Sequence, residues 1–327
     1  MNKKINLKEE LGDPNALLQK VNKTNVIKVG VQPKVNEISL TLKAKQKDTI
    51  IMIDKEPVVA FYSINENWQN QITIKLPKTE NVFGKYFYIY GDVIGIDIFC
   101  FDIAIIEIDI SKNQILEELL CPGSGPISID VSKNKNLKNL NCSSNWMVEL
   151  DVSNNENLIF LNCEGNNIDK LNVSNCKNLK GLYCSMNDIK RLNLTNNTEL
   201  EDLYIGDNEF TKINLSKNTK LKNLACPYNY ISNLDISKNK EISKIDCMNN
   251  DMSIEAMDLL INSLPEKSKI DKGEIILTAY ENPETDVKLQ ELKKLGENKN
   301  WKVSYEEDDS DEDDLFVITG YLYKRTL

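Results

Sequence analysis

A chain of 327 residues with 41% hydrophobic and 28% charged side chains can bury a core, as one elongated domain or as two to three compact ones. No apolar run reaches the ~18–20 residues of a membrane span, and the lack of any histidine removes Ser-His-Asp, Cys-His and all histidine-metal chemistry. Net charge is −10, but EEDDSDEDD at 306–314 holds eight acids and no base, which leaves −2 for the rest; no basic stripe offers itself to nucleic acid, and a basic protein partner fits the balance.

In chain order, MNKKINLKEELGDPN is basic and then polar, with no apolar stretch behind it. No secretory signal is read, so a cytoplasmic location is expected; a secreted or cell-surface location is the alternative if a leader was removed. Asp13-Pro14 ahead of NALLQKV reads as a cap and first-turn proline of one short helix. Between about 36 and 92 the runs EISLTLKA, TIIMIDK, PVVAFYS, QITIKLP and YFYIYGDV are strand-like and punctuated by Gly, Pro and Asn. Residues 1–92 are thus read as a helix plus a β-rich cap domain.

From about 93 to 253 the chain repeats every 21 residues. One column is Cys100, Cys121, Cys142, Cys163, Cys184, Ile205, Cys226 and Cys247. Two positions earlier stand Ile98, Leu119, Leu140, Leu161, Leu182, Leu203, Leu224 and Ile245. Three positions after the cysteine come Asn145, Asn166, Asn187, Asn208, Asn229 and Asn250. A second polar column is Asn113, Asn134, Asn155, Cys176, Asn197, Asn218 and Asn239. The unit reads LxxLxCxxNxIxxLxVSxNxx.

This pattern resembles the leucine-rich repeat family, in the short cysteine-bearing form of internalin-like bacterial surface proteins. The resemblance implies a parallel β solenoid, about eight coils of 21 residues, one short strand per coil. The residues argue the same way. Leucine and cysteine two apart share one face of a strand. One coil buries too little apolar surface to offset the ordering of its backbone, so stacking must supply the rest.

The cysteines are therefore read as a structural ladder, since a free thiol packs as a small hydrophobe and Ile205 replaces one of them. No C-x2-C pair suggests zinc. Disulfides between neighbouring coils meet poor geometry, because parallel side chains point inward together. Cys176, in an asparagine column, is read as a satisfied residue with a reactive thiol as alternative. The asparagines are expected to satisfy backbone groups where each strand turns.

Beyond the repeat, Ser253 is expected to cap a helix IEAMDLLINSL, followed by strand EIILTAY, helix TDVKLQELKKLG and strand WKVSY. Residues 254–305 form an α/β C-terminal cap, and 306–327 an acidic linker with an apolar tail. The acidic run lacks the glycine and terminal glutamate spacing of an EF-hand.

No catalytic residue, metal site or cofactor is assigned. GxxxxGK is absent, GSG at 123–125 is a lone turn, and the acids sit at repeat positions rather than in an isolated constellation. The N-x-S/T matches at Asn172, Asn193 and Asn214 are by-products of the repeat.

Function is sought where the repeat varies. The strand positions between the inward ones face the concave side, and there aromatics and acids converge: Phe160, Glu164, Tyr183, Asp202, Tyr204, Asp207, Tyr228 and Asp246. The resemblance too implies protein recognition on that side. The reading is a non-catalytic protein-binding module that sequesters or neutralises a partner, as an inhibitor or immunity protein does. The alternative is a cell-surface adhesin or host-receptor binder. Carbohydrate binding by the tyrosines is a third class.

Overall fold

The computed structural model describes residues 24–306, apart from 33, 35–36, 46–48, 54–55, 62–71, 76–84, 100–104, 126–127 and 279–282. The expected N-terminal helix, Cys100, and the acidic run and tail past 306 lie outside the described residues.

Eight strands lead in: β1 (Val26–Val31), β2 (Glu37–Ala44), β3 (Thr49–Ile53), β4 (Glu56–Phe61), β5 (Ile72–Lys75), β6 (Lys85–Tyr90), β7 (Val93–Phe99) and β8 (Ile105–Asp109). Seven strands of three residues follow at 21-residue intervals: β9 (Glu118–Leu120), β10 (Asn139–Asn141), β11 (Phe160–Asn162), β12 (Gly181–Tyr183), β13 (Asp202–Tyr204), β14 (Asn223–Ala225) and β15 (Lys244–Asp246). The chain closes with α1 (Ile254–Ser263), β16 (Gly273–Thr278), α2 (Pro283–Asn298) and β17 (Trp301–Glu306).

The leucine-rich-repeat solenoid is the fold observed. β9 to β15 pair in parallel, each with the next, leucine opposite leucine until Leu224 meets Ile245. Parallel strands need a crossover, and the remaining 18 residues of each coil supply it. Leu119, Leu140, Leu161, Leu182 and Leu203 are wholly buried, as are Cys121, Cys142, Cys163, Cys184 and Cys226. The sheet runs on through β16 and β17 at one end. At the other it continues through β7, then β2 and β5, in twelve strands. A separate five-stranded sheet, ordered β4-β3-β6-β1-β8, contributes Ile27, Val29, Phe87 and Ile89 to the same hydrophobic cluster.

The first rung corrects the sequence register. Leu119 lies opposite Ile96, not Ile98, and Leu120 opposite Asp97. That turn is two residues longer than the others, so Ile98, fully buried, holds the place next to Cys121. YFYIYGDV is likewise not one strand: Gly91, at φ 132°, breaks it between β6 and β7. Ser253 caps α1 as expected, its side chain accepting from Ala256 N at 3.2 Å.

The two asparagine columns do different work. Asn187 Nδ2 donates to the carbonyls of Cys163 (3.0 Å) and Cys184 (3.2 Å), while its Oδ1 accepts from Ile168 N (3.0 Å). Asn166, Asn208, Asn229 and Asn250 repeat these bonds, and each ties its coil to the one before. In the second column the amide only donates. Asn218 Nδ2 reaches the carbonyls of Leu194 (3.1 Å) and Asn197 (2.7 Å), and its Oδ1 accepts from no protein group. A site that asks only for a donor tolerates a thiol: Cys176 Sγ lies 3.7 Å from Val152 O.

Just past each cysteine the chain turns through a left-handed residue. Gly123, Ser144, Gly165, Met186, Asp207, Tyr228 and Asn249 all have φ between 48° and 66°. Glycine adopts this conformation freely, and other residues at ~1–2 kcal/mol each. The residue that follows each turn, Ser124 and then asparagine from Asn145 to Asn250, is buried.

Candidate functional site

A three-residue strand whose middle residue is buried turns its first and third residues away from the core. The first column on this outward face is Glu118, Asn139, Phe160, Gly181, Asp202, Asn223 and Lys244; the third is Leu120, Asn141, Asn162, Tyr183, Tyr204, Ala225 and Asp246. Apart from Gly181 these residues are half-buried or exposed.

Three of the residues singled out by sequence form one row of rings. Tyr183 and Tyr204 stack at 4.6 Å, 8° from coplanar, close to the spacing of neighbouring strands. Phe160 joins from the other column, 5.0 Å from Tyr183 and tilted by 42°. Gly181 makes this joining geometrically feasible. A Cβ there would stand 3.0 Å from Phe160 Cδ2 and 3.1 Å from Tyr183 Cε2, so any side chain would press on both rings. Sequence reasoning missed Gly181, although a glycine in an otherwise polar and aromatic column was the available signal. Because each tyrosine ring faces another ring, the row presents edges and hydroxyls rather than a broad flat platform.

The acids around the row are not equivalent. Asp202 accepts from Asn223 Nδ2 at 2.6 Å. Asp246 Oδ1 accepts from Met248 N at 3.3 Å and so helps to end its own strand, as Asn141 and Asn162 do for theirs. Glu164 follows Cys163 on the outward face, half-buried, and loss of water pushes its carboxyl above the usual range. Asp207 occupies a left-handed turn; desolvation and then the carboxylate of Asp188 push it up as well. Tyr228 stands at the next left-handed turn, half-buried, so it borders the face from the turn rather than from a strand. Met186, at the turn before Asp207, is 39% exposed.

Several acids elsewhere have lysine partners. At the strand starts Glu117 pairs with Lys138 (2.7 Å) and Glu201 with Lys222 (2.6 Å) and Lys180 (3.3 Å). Glu199 pairs with Lys220 (2.6 Å) and Glu209 with Lys190 (3.2 Å). Glu164 and Asp207 have no such partner among the described residues.

Among the described residues the ladder thiols and that of Cys176 are free and buried. Desolvation pushes those of Cys121 and Cys163 up to about 12 and that of Cys176 to about 11, so they stay protonated and are poor nucleophiles. Among the described residues, no group of three or more Cys, Asp or Glu stands close enough to hold a metal, and no helix is long and apolar enough to cross a membrane.

No family model and no curated protein matches the chain. Among solved structures it is similar to the functional domain of InlJ from Listeria monocytogenes, which includes a cysteine ladder. That match has 29% identity and a TM-score of 0.39, and covers 45% of this chain and 37% of the other. It is also similar to a leucine-rich-repeat protein of Leptospira interrogans, at 24% identity and a TM-score of 0.46, over 49% of this chain and 44% of the other. The chain thus spans less than half the length of each.

Proposed function

We propose that this leucine-rich-repeat solenoid is a non-catalytic binding module that holds a partner protein against the outward face of its sheet, and by holding it neutralises it. The observation that carries this reading is the row Phe160–Tyr183–Tyr204. Aromatic rings set in a polar surround, on rigid strands rather than on loops, are the composition of interface hot spots. The rigidity of the rungs matters because little ordering is left to oppose association.

The test is capture from the source cell's extract by three immobilised forms: wild type, Tyr183→Ala/Tyr204→Ala, and Lys190→Ala/Arg191→Ala on another flank. A specific partner is retained by the first and third. With the second its affinity falls by ~30-fold or more, about 2 kcal/mol, while stability falls by no more than ~1–2 kcal/mol for the lost stacking. A partner held equally by all three forms sinks the assignment of the face. The neutralising role is read separately: the purified partner loses its own activity when the chain is added, whereas undiminished activity points to adhesion.

A further inference from the structure

Among the described residues, acids outnumber bases on the outward face of the later rungs. Along the strand starts, lysines on adjacent rungs answer Glu117, Glu199 and Glu201 within 3.3 Å. Across β11 to β15 the outward positions and bordering turns hold Glu164, Asp202, Asp207 and Asp246 against a single base, Lys244. Among the described residues Glu164 and Asp207 have no cation beside them, though lysines two columns away show that the repeat accommodates them readily. Both border the ring row on the side where the strands end. They stand two rungs apart, roughly 10 Å at the spacing of paired strands.

We infer that the occupant of this face is a lysine- or arginine-bearing segment of a protein, crossing the rungs where the strands end, with two cations about 10 Å apart set against Glu164 and Asp207. This deepens the reading of the face as a protein-binding surface and rests on it. Charge complementarity selects the partner: a cation arriving at either carboxylate meets a group already partly stripped of water and spared the competition of an internal lysine. An acidic segment would set like charge against Glu164 and Asp207, which is unfavourable. The ring row offers edges and phenol hydroxyls beside the acids, along which the aliphatic stem of a lysine or arginine can pack while its charged head bonds a carboxylate. Raised carboxyls at Glu164 and Asp207 fit the same picture, since a bound cation would bring both down again.

The full chain, with the eight acids of 306–314 replaced by their amides in every form so that this run does not compete, is tested with a fluorescent nona-arginine peptide at low salt. One variant, Glu164→Gln/Asp202→Asn/Asp207→Asn, removes three charges from the face with near-isosteric amides, and Asn is well tolerated in the left-handed turn at 207. Its charge-matched control is Asp130→Asn/Asp151→Asn/Asp235→Asn. Those side chains make the same turn bond as Asn172, Asn193 and Asn214 in sister coils, so the control folds. The first variant is expected to bind ~10-fold or more weakly than wild type, and the control within ~2-fold. Equal losses, no loss in the first variant, or no binding by the wild type would each overturn the inference. Such a failure is distinguishable from failure of the face itself: a partner lost with Tyr183→Ala/Tyr204→Ala but kept by the charge variant leaves the face standing and removes only its cationic occupant.

Discussion

The two faces of the same strands obey different rules. Inward, Leu161, Leu182 and Leu203 follow one another with scarcely a change, and the cysteines beside them yield only to Ile205. Outward, the same rungs run Asn162, Tyr183, Tyr204, Ala225, Asp246. The inward side is fixed by close packing, where one methylene is felt. The outward side is not packed against the core, and its residues change from rung to rung. Variation inside a strict repeat is therefore where a role other than folding is best sought.

The strongest way to break this comparison is on the inward side. Asn187→Ala removes three donated bonds and one accepted bond at a buried site, and strands carbonyls of two coils. A loss of about 3–4 kcal/mol is expected in denaturant unfolding, with the outward face unaltered in what it binds until the rungs part. A far smaller and opposite effect is expected at Cys176→Asn. It restores a second donor in a column that uses only donors, and should raise stability by about 1 kcal/mol. No gain would show that the thiol fits that site as well as an amide.

The smallest effect concerns acid. Asp109, Asp130, Asp151 and Asp235 each accept from the backbone N–H two residues on and from its serine, and these bonds hold their carboxyls below the usual range. A depressed folded pKa means stability fully present above the unfolded value, near 4, and lost as pH falls through the folded values. Mid-solenoid the same position is Asn172, Asn193 and Asn214, which do not titrate. Replacing the four aspartates with asparagine should flatten the small decline in stability below about pH 4; an unchanged slope would place the acid sensitivity elsewhere.

The inward side was legible in the sequence because its columns are chemically uniform. The register failed only at the first rung, where a 23-residue turn puts Ile96 rather than Ile98 opposite Leu119. A periodic ruler cannot see an insertion when isoleucine stands at both places. The left-handed turns left almost no trace, since Ser, Met, Asp, Tyr and Asn share the position with Gly123 and Gly165. The ring row was visible as residue types, but its stacking depends on Gly181, a missing side chain that no hydrophobic pattern records.

The line of thiols has one more consequence. From Cys121 to Cys247 each sulfur of the ladder belongs to its own winding and is sealed only while that winding stays coiled. The protein thus carries an internal scale: the order in which its sulfurs become alkylated reports from which end the spring begins to let go.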